Sequence, residues 1–149
     1  MIRLARESDL PELLAMIGEL AEFEELADQV VCTQEDLRRD LFGPGAAIFD
    51  TVAVDERGAV AGHALWFRTF STFLGRTGIW LEDIYVRPAF RRQGHAAALM
   101  ADLRGRTEGR VEWEVLDWNV GARAFYDGLG ARPETGWTKY RWVVPQPQP

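Results

Sequence analysis

A basic loop followed by a glycine and a helix of small residues is the segment of this sequence best suited to bind an anion. It runs Arg91-Arg92-Gln93-Gly94-His95-Ala96-Ala97-Ala98 and follows a hydrophobic strand pattern. The first backbone N–H groups of a helix lack partners within the helix and lie at the positive end of its dipole, which suits them to a pyrophosphate. Gly94 lets the backbone approach a ligand closely, and Arg91 and Arg92 add charged donors for phosphate oxygens. The segment therefore predicts a site for a phosphate-bearing ligand.

Two common phosphate-binding patterns are absent from the sequence. It contains no Gly-x-x-x-x-Gly-Lys-Ser/Thr, and no Gly-x-Gly-x-x-Gly follows the first predicted strand. Neither a P-loop nor a dinucleotide-binding fold is therefore expected. The alternative interpretation of the basic segment is an ordinary capped helix with two solvated arginines.

Two groups of acidic residues could bind or deprotonate a cation. Glu82 and Asp83 adjoin on the strand before the basic loop, and adjacent side chains on a strand are expected to point to opposite faces, so that only one of them lines a given pocket. The second group follows the first predicted helix and contains no basic residue; it consists of Glu19, Glu22, Glu24, Glu25 and Asp28. This acidic run predicts a mouth for a polycation, with a solvated helix face as the alternative.

The hydrophobic pattern predicts the elements that position these residues. Apolar residues at helical spacing follow Ser8, a candidate helix cap, and Thr33 with Asp36 resembles a capping box for a second helix through Leu41. The other predicted elements are strands at Ile2–Ala5, Ile48–Val54, Ala59–Thr69, Gly78–Val86, Arg110–Leu116 and Trp137–Val144, and helices at Gly94–Arg106 and Val120–Leu129. Hairpins followed by one strand-helix-strand unit predict an α/β fold with a mixed, mostly antiparallel sheet and helices on both faces.

Length and charge limit the organisation and the partners. The 149 residues fit one domain, expected over residues 1–144, and the Pro/Gln-rich residues 145–149 are expected to be a disordered tail. The formal net charge of −6 argues against nucleic acid as a partner and is compatible with a cationic substrate. No apolar run is long enough for a membrane span, so no membrane partner is expected.

Cysteine and histidine usage bears on compartment and metal binding. The single cysteine, Cys32, excludes an internal disulfide and is expected to be a small buried hydrophobe. His63 lies in an apolar strand pattern typical of a packed core histidine, and with His95 it lacks metal-ligand spacing, so no metal is expected. The N-terminus turns polar too early for a signal peptide, and the cytoplasm is the expected compartment.

The sequence resembles the GNAT superfamily of N-acetyltransferases. Arg91-Arg92-Gln93-Gly94-His95-Ala96 matches its Arg/Gln-x-x-Gly-x-Gly/Ala signature, and the predicted strand order fits its fold across nearly the whole chain. The sequence is most similar to the diamine (spermidine/spermine) acetyltransferase type. The shared features are Glu19–Glu24, Leu81-Glu82-Asp83, Trp118-Asn119, and Phe125-Tyr126 followed by Gly130-Ala131.

This resemblance implies acetyl-coenzyme A as the co-substrate. Main-chain groups of Ile84 and Val86 would pair with its pantetheine arm as an added strand does, and amides of the basic loop would hold the pyrophosphate. The cofactor-binding residues so implied are Ile84, Val86, Arg91, Arg92, Gln93, Gly94, His95, Ala96, Ala97 and Asn119. Arg92 stands where the diamine type usually has glycine, and it either adds a phosphate contact or is solvated. Ala96 replaces the second glycine of the signature, a position where the superfamily accepts alanine.

The resemblance also implies catalytic roles. An alkylammonium ion, with a pKa of about 10.4, must lose a proton before it can attack a thioester. Glu82 is the expected general base, acting directly or through a water, with Asp83 as the fallback; Tyr126 is the expected acid that protonates the departing thiolate. A backbone N–H on the Ile84–Val86 strand would stabilise the oxyanion. The alternatives are a solvated or hairpin-paired Glu82 and a Tyr126 that only anchors the core.

The expected function is transfer of an acetyl group to a primary amine of a small cationic substrate such as a polyamine or thialysine. The expected substrate contacts are Phe23, Glu24 and Glu82. One departure from the diamine type concerns the residue before Gly136-Trp137, which is Thr135 here instead of glutamate, while Glu134 lies one place earlier. The alternatives are a protein or peptide N-acetyltransferase and a non-catalytic acyl-coenzyme A-binding module. A homodimer is expected from the superfamily.

Overall fold

Four helices and five strands make up the regular structure of residues 1–145. The computed structural model describes residues 1–145, so residues 146–149 of the predicted tail lie outside the described residues. The strands are β1 (Ile2–Leu4), β2 (Ile48–Val54), β3 (Val60–Ser71), β4 (Arg76–Val86) and β5 (Val111–Trp113). The helices are α1 (Leu10–Phe23), α2 (Gln34–Phe42), α3 (His95–Gly105) and α4 (Val120–Gly128). Short 3-10 turns occupy Glu7–Asp9, Ala27–Gln29 and Pro88–Phe90.

The five strands form one sheet whose spatial order equals their order along the chain. Neighbours from β1 to β4 are antiparallel, and only β5 pairs in parallel with its neighbour, β4. Long β-hairpins account for β2, β3 and β4, and α3 provides the crossover that a parallel pair requires. The predicted mixed, mostly antiparallel sheet is confirmed.

Helices cover both faces of this sheet. On one face, α1 and α2 pack on strand residues of an apolar cluster that includes Leu10, Leu13, Val52, Leu65 and Tyr85. We call this the α1 face. On the other, α3 buries Leu99 and Leu103 completely, and the guanidinium of Arg106, just after α3, lies 5.6 Å from the ring of Trp66. Because Leu65 and Trp66 are adjacent on β3 and point to opposite faces, α3 covers the face that α1 leaves free.

The two N-terminal helices begin differently. The predicted capping box of α2 is confirmed, since the Thr33 hydroxyl accepts from the Asp36 N–H at 3.2 Å and the Asp36 carboxylate accepts from the Thr33 N–H at 2.9 Å. Ser8 as the cap of α1 was wrong, because a 3-10 turn precedes the helix and places Asp9 at the cap position. The Asp9 carboxylate accepts from the Arg6 N–H at 2.7 Å and from Arg3 at 2.6 Å, which ties the turn to β1.

The predicted strand at Trp137–Val144 was wrong. Within residues 1–145, the segment from 132 onward forms no helix or strand, and the side chains of Trp137, Tyr140 and Trp142 are 82%, 91% and 94% exposed. A strand requires a partner for its backbone groups, and aromatic residues with strand propensity do not supply one.

The chain divides into two compact units, Met1–Leu116 and the residues from Asp117 onward. The first unit holds the whole sheet with α1, α2 and α3, and the second holds α4. The expectation of a single domain over residues 1–144 stays a prediction. No helix of the described residues is both long and apolar enough to span a membrane.

Candidate active site

A β-bulge in β4 lies at the centre of the candidate site. Leu65 pairs with Asp83 and the next residue of β3, Trp66, pairs with Leu81, so that Glu82 is the extra residue of the bulge. Strand β5 pairs with β4 only over Ile79–Leu81, immediately before this bulge. A bulge bends its strand and increases its local twist, which parts β4 from its neighbour. The predicted β5 over Arg110–Leu116 was therefore too long, because residues beyond Trp113 have no β4 partner.

The bulge also changes which way the two adjacent acids point. Trp80 pairs with Phe67 and Asp83 with Leu65, two β3 residues that share the α1 face. The indole N–H of Trp80 donates to the Glu82 carboxylate at 2.9 Å, which holds Glu82 on the same side. The expectation that Glu82 and Asp83 point to opposite faces was wrong, because the extra residue interrupts the alternation.

Asp83 and Glu24 form a half-buried acidic pair on the α1 face. Burial and the charge of Asp83 raise the pKa of Glu24, which caps the C-terminal end of α1. Burial also raises the pKa of Asp83, opposed by the charge of His63 and assisted by that of Glu82. Two acids this close and partly desolvated favour the uptake of a positive charge. The arrangement suits a site for an ammonium group.

The other acids of the run at residues 19–28 lie elsewhere. Glu22, Glu25 and Asp28 are exposed, in agreement with the solvated alternative for these three. Glu19 accepts from Arg87 at 3.0 Å and so joins α1 to the end of β4. Of the run, Glu24 is therefore the member that faces the bulge.

Arg91 connects the basic loop to the acidic region. Its Nε donates to the Val86 carbonyl at 2.9 Å, and its guanidinium lies 5.9 Å from the ring of Phe23 and 5.8 Å from that of Tyr85. Phe23, at the end of α1, is 46% exposed. The expected pyrophosphate ligand Arg91 thus packs against an expected substrate contact, and both roles stay predictions.

An open backbone edge runs along β4 after the bulge. The Arg87 N–H donates to the Ala61 carbonyl at 2.9 Å, so residues 85 and 87 bond to β3. Main-chain groups alternate between the two edges of an antiparallel strand, and those of Ile84 and Val86 accordingly face the side that β5 has left. The Val86 carbonyl already accepts from Arg91, so an extended ligand chain that pairs with Ile84 and Val86 would have to replace that side chain at this carbonyl.

The N-terminus of α3 follows, and its first amides have no partner within the helix. Gly94 caps the helix with φ +82° and without a side-chain cap, and Arg92 also has a positive φ, of 60°. The first helical bond runs from the Ala98 N–H to the Gly94 carbonyl at 2.9 Å, so the N–H groups of residues 95–97 precede it. The loop carries arginine and no acid between residues 87 and 98. The residues present therefore fit the pyrophosphate of coenzyme A.

The side chains of this loop contribute less than its backbone. Arg92 and Gln93 are exposed, and Gln93 donates to the Ala89 carbonyl at 3.3 Å. The half-buried ring of His95 packs edge-on against Phe90, with 6.5 Å between the ring centres. Both observations are compatible with contact through the main chain at these positions.

Asn119 and Tyr126 lie in the second unit, on α4. The Asn119 side chain caps this helix by accepting from the Ala122 N–H at 3.2 Å. Tyr126 is half-buried and packs at a tilt against Phe125, with 5.4 Å between ring centres. The cap explains why an asparagine stands before α4, and the expected cofactor and acid roles of the two residues stay predictions.

Two features of this region were not predicted: the β-bulge at Glu82 and the partner of the buried His63. His63 is fully buried, as expected of a core histidine, but its Nδ1 lies 2.9 Å from a carboxylate oxygen of the equally buried Asp50. The only available signal was an aspartate in an otherwise apolar strand pattern, Ile48–Val54. Cys32 is half-buried and borders the α1-face cluster. Among residues 1–145, no group of three or more His, Cys, Asp or Glu side chains is placed to hold a metal ion.

Comparisons with known proteins agree on one family. Residues 14–131 match the acetyltransferase (GNAT) family model. The chain is 38% identical over 157 residues to a mouse (Mus musculus) thialysine N-epsilon-acetyltransferase, covering 95% of this chain and 91% of that protein. It is 37% identical over 158 residues, with the same coverage, to the Sus scrofa protein of that name. The crystal structure of a probable acetyltransferase shares the fold with a TM-score of 0.78 and 22% identity, covering 98% of this chain and 99% of the other.

Proposed function

Because the chain belongs to the acetyltransferase (GNAT) family and is an acetyltransferase, we propose that it transfers the acetyl group of acetyl-coenzyme A to a primary amine of a small cationic substrate. Thialysine, polyamines and similar aminoalkyl compounds form the substrate class. The observation that carries this proposal is the half-buried pair of Glu24 and Asp83 beside the bulge at Glu82. The relatives named for thialysine acetylation support the same class.

The acidic pair of Glu24 and Asp83 is the proposed binding site for an ammonium group of the substrate. A protonated amine between Glu24 and Asp83 offsets the repulsion between two carboxylates that burial already disfavours in the ionised state. Phe23 adds an exposed aromatic face beside them for the alkyl chain. In this proposal, Glu24 and Asp83 select for positive charge at a distance from the reacting nitrogen, and a second amino group of the substrate binds there.

Glu82 is proposed to take the proton from the reacting ammonium, directly or through one water. Its carboxylate is exposed at the bulge and oriented by the indole N–H of Trp80. Acetyl-coenzyme A supplies an acetyl group activated as a thioester. The neutral amine attacks its carbonyl carbon, and a backbone N–H of Ile84 or Val86 donates to the oxygen that gains negative charge.

Tyr126 is proposed to donate its phenolic proton to the sulfur as the C–S bond breaks. A phenol with a pKa of about 10 is protonated at pH 7 and can serve as such a donor. The amides of Gln93, Gly94, His95, Ala96 and Ala97, with Arg91 and Arg92, are proposed to hold the pyrophosphate, and Asn119 to contact the co-substrate.

We also propose a homodimer in the cytoplasm. The exposed side chains of Trp137, Tyr140 and Trp142 support an interface between copies, because apolar surface of this size is rarely left in water. The single cysteine, which cannot form an internal disulfide, is compatible with a reducing compartment. Light scattering coupled to size exclusion measures the oligomeric state, and a monomeric mass would contradict the dimer.

The test is coenzyme A thiol release from acetyl-coenzyme A in the presence of spermidine, spermine, putrescine, thialysine, lysine or a set of peptides. We expect turnover with small amines. Turnover with peptides alone would replace the proposal by protein acetylation, and tight binding of acetyl-coenzyme A without turnover would indicate a binding module.

A charge-matched comparison tests the acidic pair. The double variant Glu24→Gln/Asp83→Asn is expected to raise KM for the cationic amine at least about tenfold, since each carboxylate contributes a charge-assisted contact. Its control is Glu22→Gln/Glu25→Gln, which removes the same charge from exposed members of the run. Equal effects of the two double variants would show that only the overall charge matters.

A further inference from the structure

A buried ionisable pair lies behind the proposed amine site. The side chains of Asp50 on β2 and His63 on β3 are completely buried, and Nδ1 of His63 lies 2.9 Å from Oδ2 of Asp50. Within the described part of the chain, the second oxygen of Asp50 and Nε2 of His63 have no hydrogen-bond partner. Such a pair is often no more stable than apolar residues of the same size. The stability of the core therefore does not explain why an ionisable pair occupies these buried positions.

The pair lies directly beside Asp83. His63 pairs with Tyr85 and Leu65 pairs with Asp83, and His63 and Leu65 share the α1 face. His63 and Asp83 are accordingly diagonal neighbours on adjacent strands, a spacing at which long side chains interact. His63 thus stands between two acids, Asp50 on one side and Asp83 on the other.

The charges of the pair are coupled to this neighbour. Burial lowers the pKa of His63, but the charge of Asp50 and its hydrogen bond more than offset that effect, and Asp83 adds to the rise. In return, the positive charge of His63 lowers the pKa of Asp83, which burial and the negative charges of Glu82 and Asp50 raise. A protonated His63 therefore opposes the neutralisation of Asp83.

The remaining groups around His63 and Asp83 are mostly committed to other partners. The titratable and charged groups near them on β4, on α1, after each of these elements and before α2 are Glu82, Tyr85, Arg87, Glu19, Glu24 and Cys32. Arg87 is the nearby cation that acts on His63, and it is paired with Glu12 and Glu19 of α1. Burial and Glu19 raise the pKa of Tyr85, and burial raises that of the Cys32 thiol, so both stay neutral near pH 7. Glu24 and Glu82 are acids and favour the neutral form of Asp83.

We propose that protonated His63, held by Asp50, is a positioning residue that keeps Asp83 ionised for binding the ammonium group of the amine substrate. This inference rests on the proposed function. It makes the buried pair the element that sets the lower pH limit of amine binding, although neither residue touches the substrate.

The kinetic test replaces the pair without disturbing the fold. In the double variant Asp50→Leu/His63→Phe, apolar side chains fill the same space, which commonly preserves or increases stability. The variant removes the positive charge of His63 and also the negative charge of Asp50, whose opposite effect on Asp83 is smaller. We therefore expect the acid limb of kcat/KM for the amine to move up by about half a pH unit. KM should rise about threefold on that limb and return to the wild-type value above it, with kcat on the plateau changed less than about twofold. An unmoved limb in the folded double variant would overturn the proposal.

A control separates this effect from general disturbance of the core. Thr51 is as buried as Asp50, but its hydroxyl accepts from Trp66 at 3.1 Å on the opposite face of the sheet. Thr51→Val should lower the stability and leave the acid limb in place. An equal shift of the acid limb in Thr51→Val would show that the effect comes from disturbed core packing, and it would also overturn the proposal.

A second readout does not depend on activity. The chain contains two histidines, so imidazole NMR signals of the full-length protein can be assigned by comparison with His95→Gln. We expect the titration midpoint of His63 to lie above about 6.5, the ordinary histidine value, and to fall in Asp83→Asn. A midpoint below that value, or one that Asp83→Asn does not change, contradicts the proposal. If no amine is acetylated, the proposed function fails, whereas this titration still confirms or rejects the link between His63 and Asp83.

Discussion

At the scale of single residues, the two acids at the bulge have separable roles. Asp83 is half-buried beside Glu24, whereas Glu82 is exposed and held by Trp80. This difference fits a binding charge at Asp83 and a proton acceptor at Glu82, because an acceptor must exchange its proton with solvent.

Glu82→Gln is expected to flatten the acid limb of the kcat profile measured at saturating amine, where binding at Asp83 no longer limits the rate, since the amide cannot accept the ammonium proton. The measurement is thiol release across the pH range with a saturating co-substrate. Glu112→Gln is the matched control, because Glu112 is an exposed glutamate on β5 that pairs with Trp80. A limb that keeps its shape in Glu82→Gln would assign the ionisation to another group.

Tyr126→Phe removes the phenol and retains the ring that packs on Phe125. If the phenol protonates the thiolate, kcat should fall roughly 10²-fold where chemistry limits the rate. Tyr140→Phe is the control, since it removes a phenol from a side chain that is 91% exposed in the same unit. Equal rates for Tyr126→Phe and wild type in single-turnover experiments would exclude Tyr126 as the acid.

At the scale of elements, the junction between β4 and α3 joins an open strand edge to a helix N-terminus. Both are consequences of irregular backbone: the bulge at Glu82 parts β4 from β5, and the positive φ of Arg92 and Gly94 turns the chain into the helix. Without the bulge, β5 could continue to pair along β4. A helix that began earlier in the chain would pair the amides of residues 95–97 with carbonyls of its preceding turn.

Gly94→Ala tests this junction. A Cβ at Gly94 meets open space, so the penalty is the φ of +82°, which costs roughly 1–2 kcal/mol for an L residue. We expect either that loss of stability or a relaxed loop with weaker coenzyme A binding in calorimetry. Gly105→Ala, at the exposed far end of α3 without a positive φ, should retain affinity and gain up to about 1 kcal/mol of stability. Unchanged stability and affinity in Gly94→Ala would contradict the role of this backbone.

For the stability of the whole molecule, a group of contacts near the start of the chain ties the turn before α1 to β1. The Asp9 carboxylate, with its side chain 8% exposed, accepts from two nitrogens of Arg3 on β1 and from the Arg6 N–H. The hydrogen bond from Arg3 holds the pKa of Asp9 below its usual range.

Because the folded state lowers this pKa, Asp9 stabilises the protein above its unfolded pKa of about 3.9, and that stability is lost as the pH falls through the folded pKa. Asp9→Asn should therefore lower the free energy of unfolding by roughly 1–3 kcal/mol at pH 7 and weaken its decline in acid. Urea unfolding at several pH values measures both. Glu108→Gln, which breaks an exposed ion pair with Arg76, should have no measurable effect. A decline in acid that Asp9→Asn leaves unchanged would contradict this account.

Local patterns predicted much of the fold. The helices at 34–42, 95–105 and 120–128 and the strands at 48–54, 60–71 and 76–86 lie within two residues of their predicted bounds, because caps, glycines and hydrophobic period act over a few residues. The strand at Trp137–Val144 failed since a strand depends on a distant partner, which no local pattern contains.

Residue types read along the chain identify the family signature at Arg91–Ala96, the strand that leads into it and the acids available to the site. Strand pairing determines which of these acids meet: one extra residue in the β3–β4 register places Glu82 and Asp83 on one face, beyond the last residue of β4 that pairs with β5. It also joined Asp50 to His63 across two strands. Residue types and spacing are local and can be read along the chain, whereas strand register and burial depend on pairing between segments far apart in sequence, and burial raises the pKa of Asp50 and of Asp83.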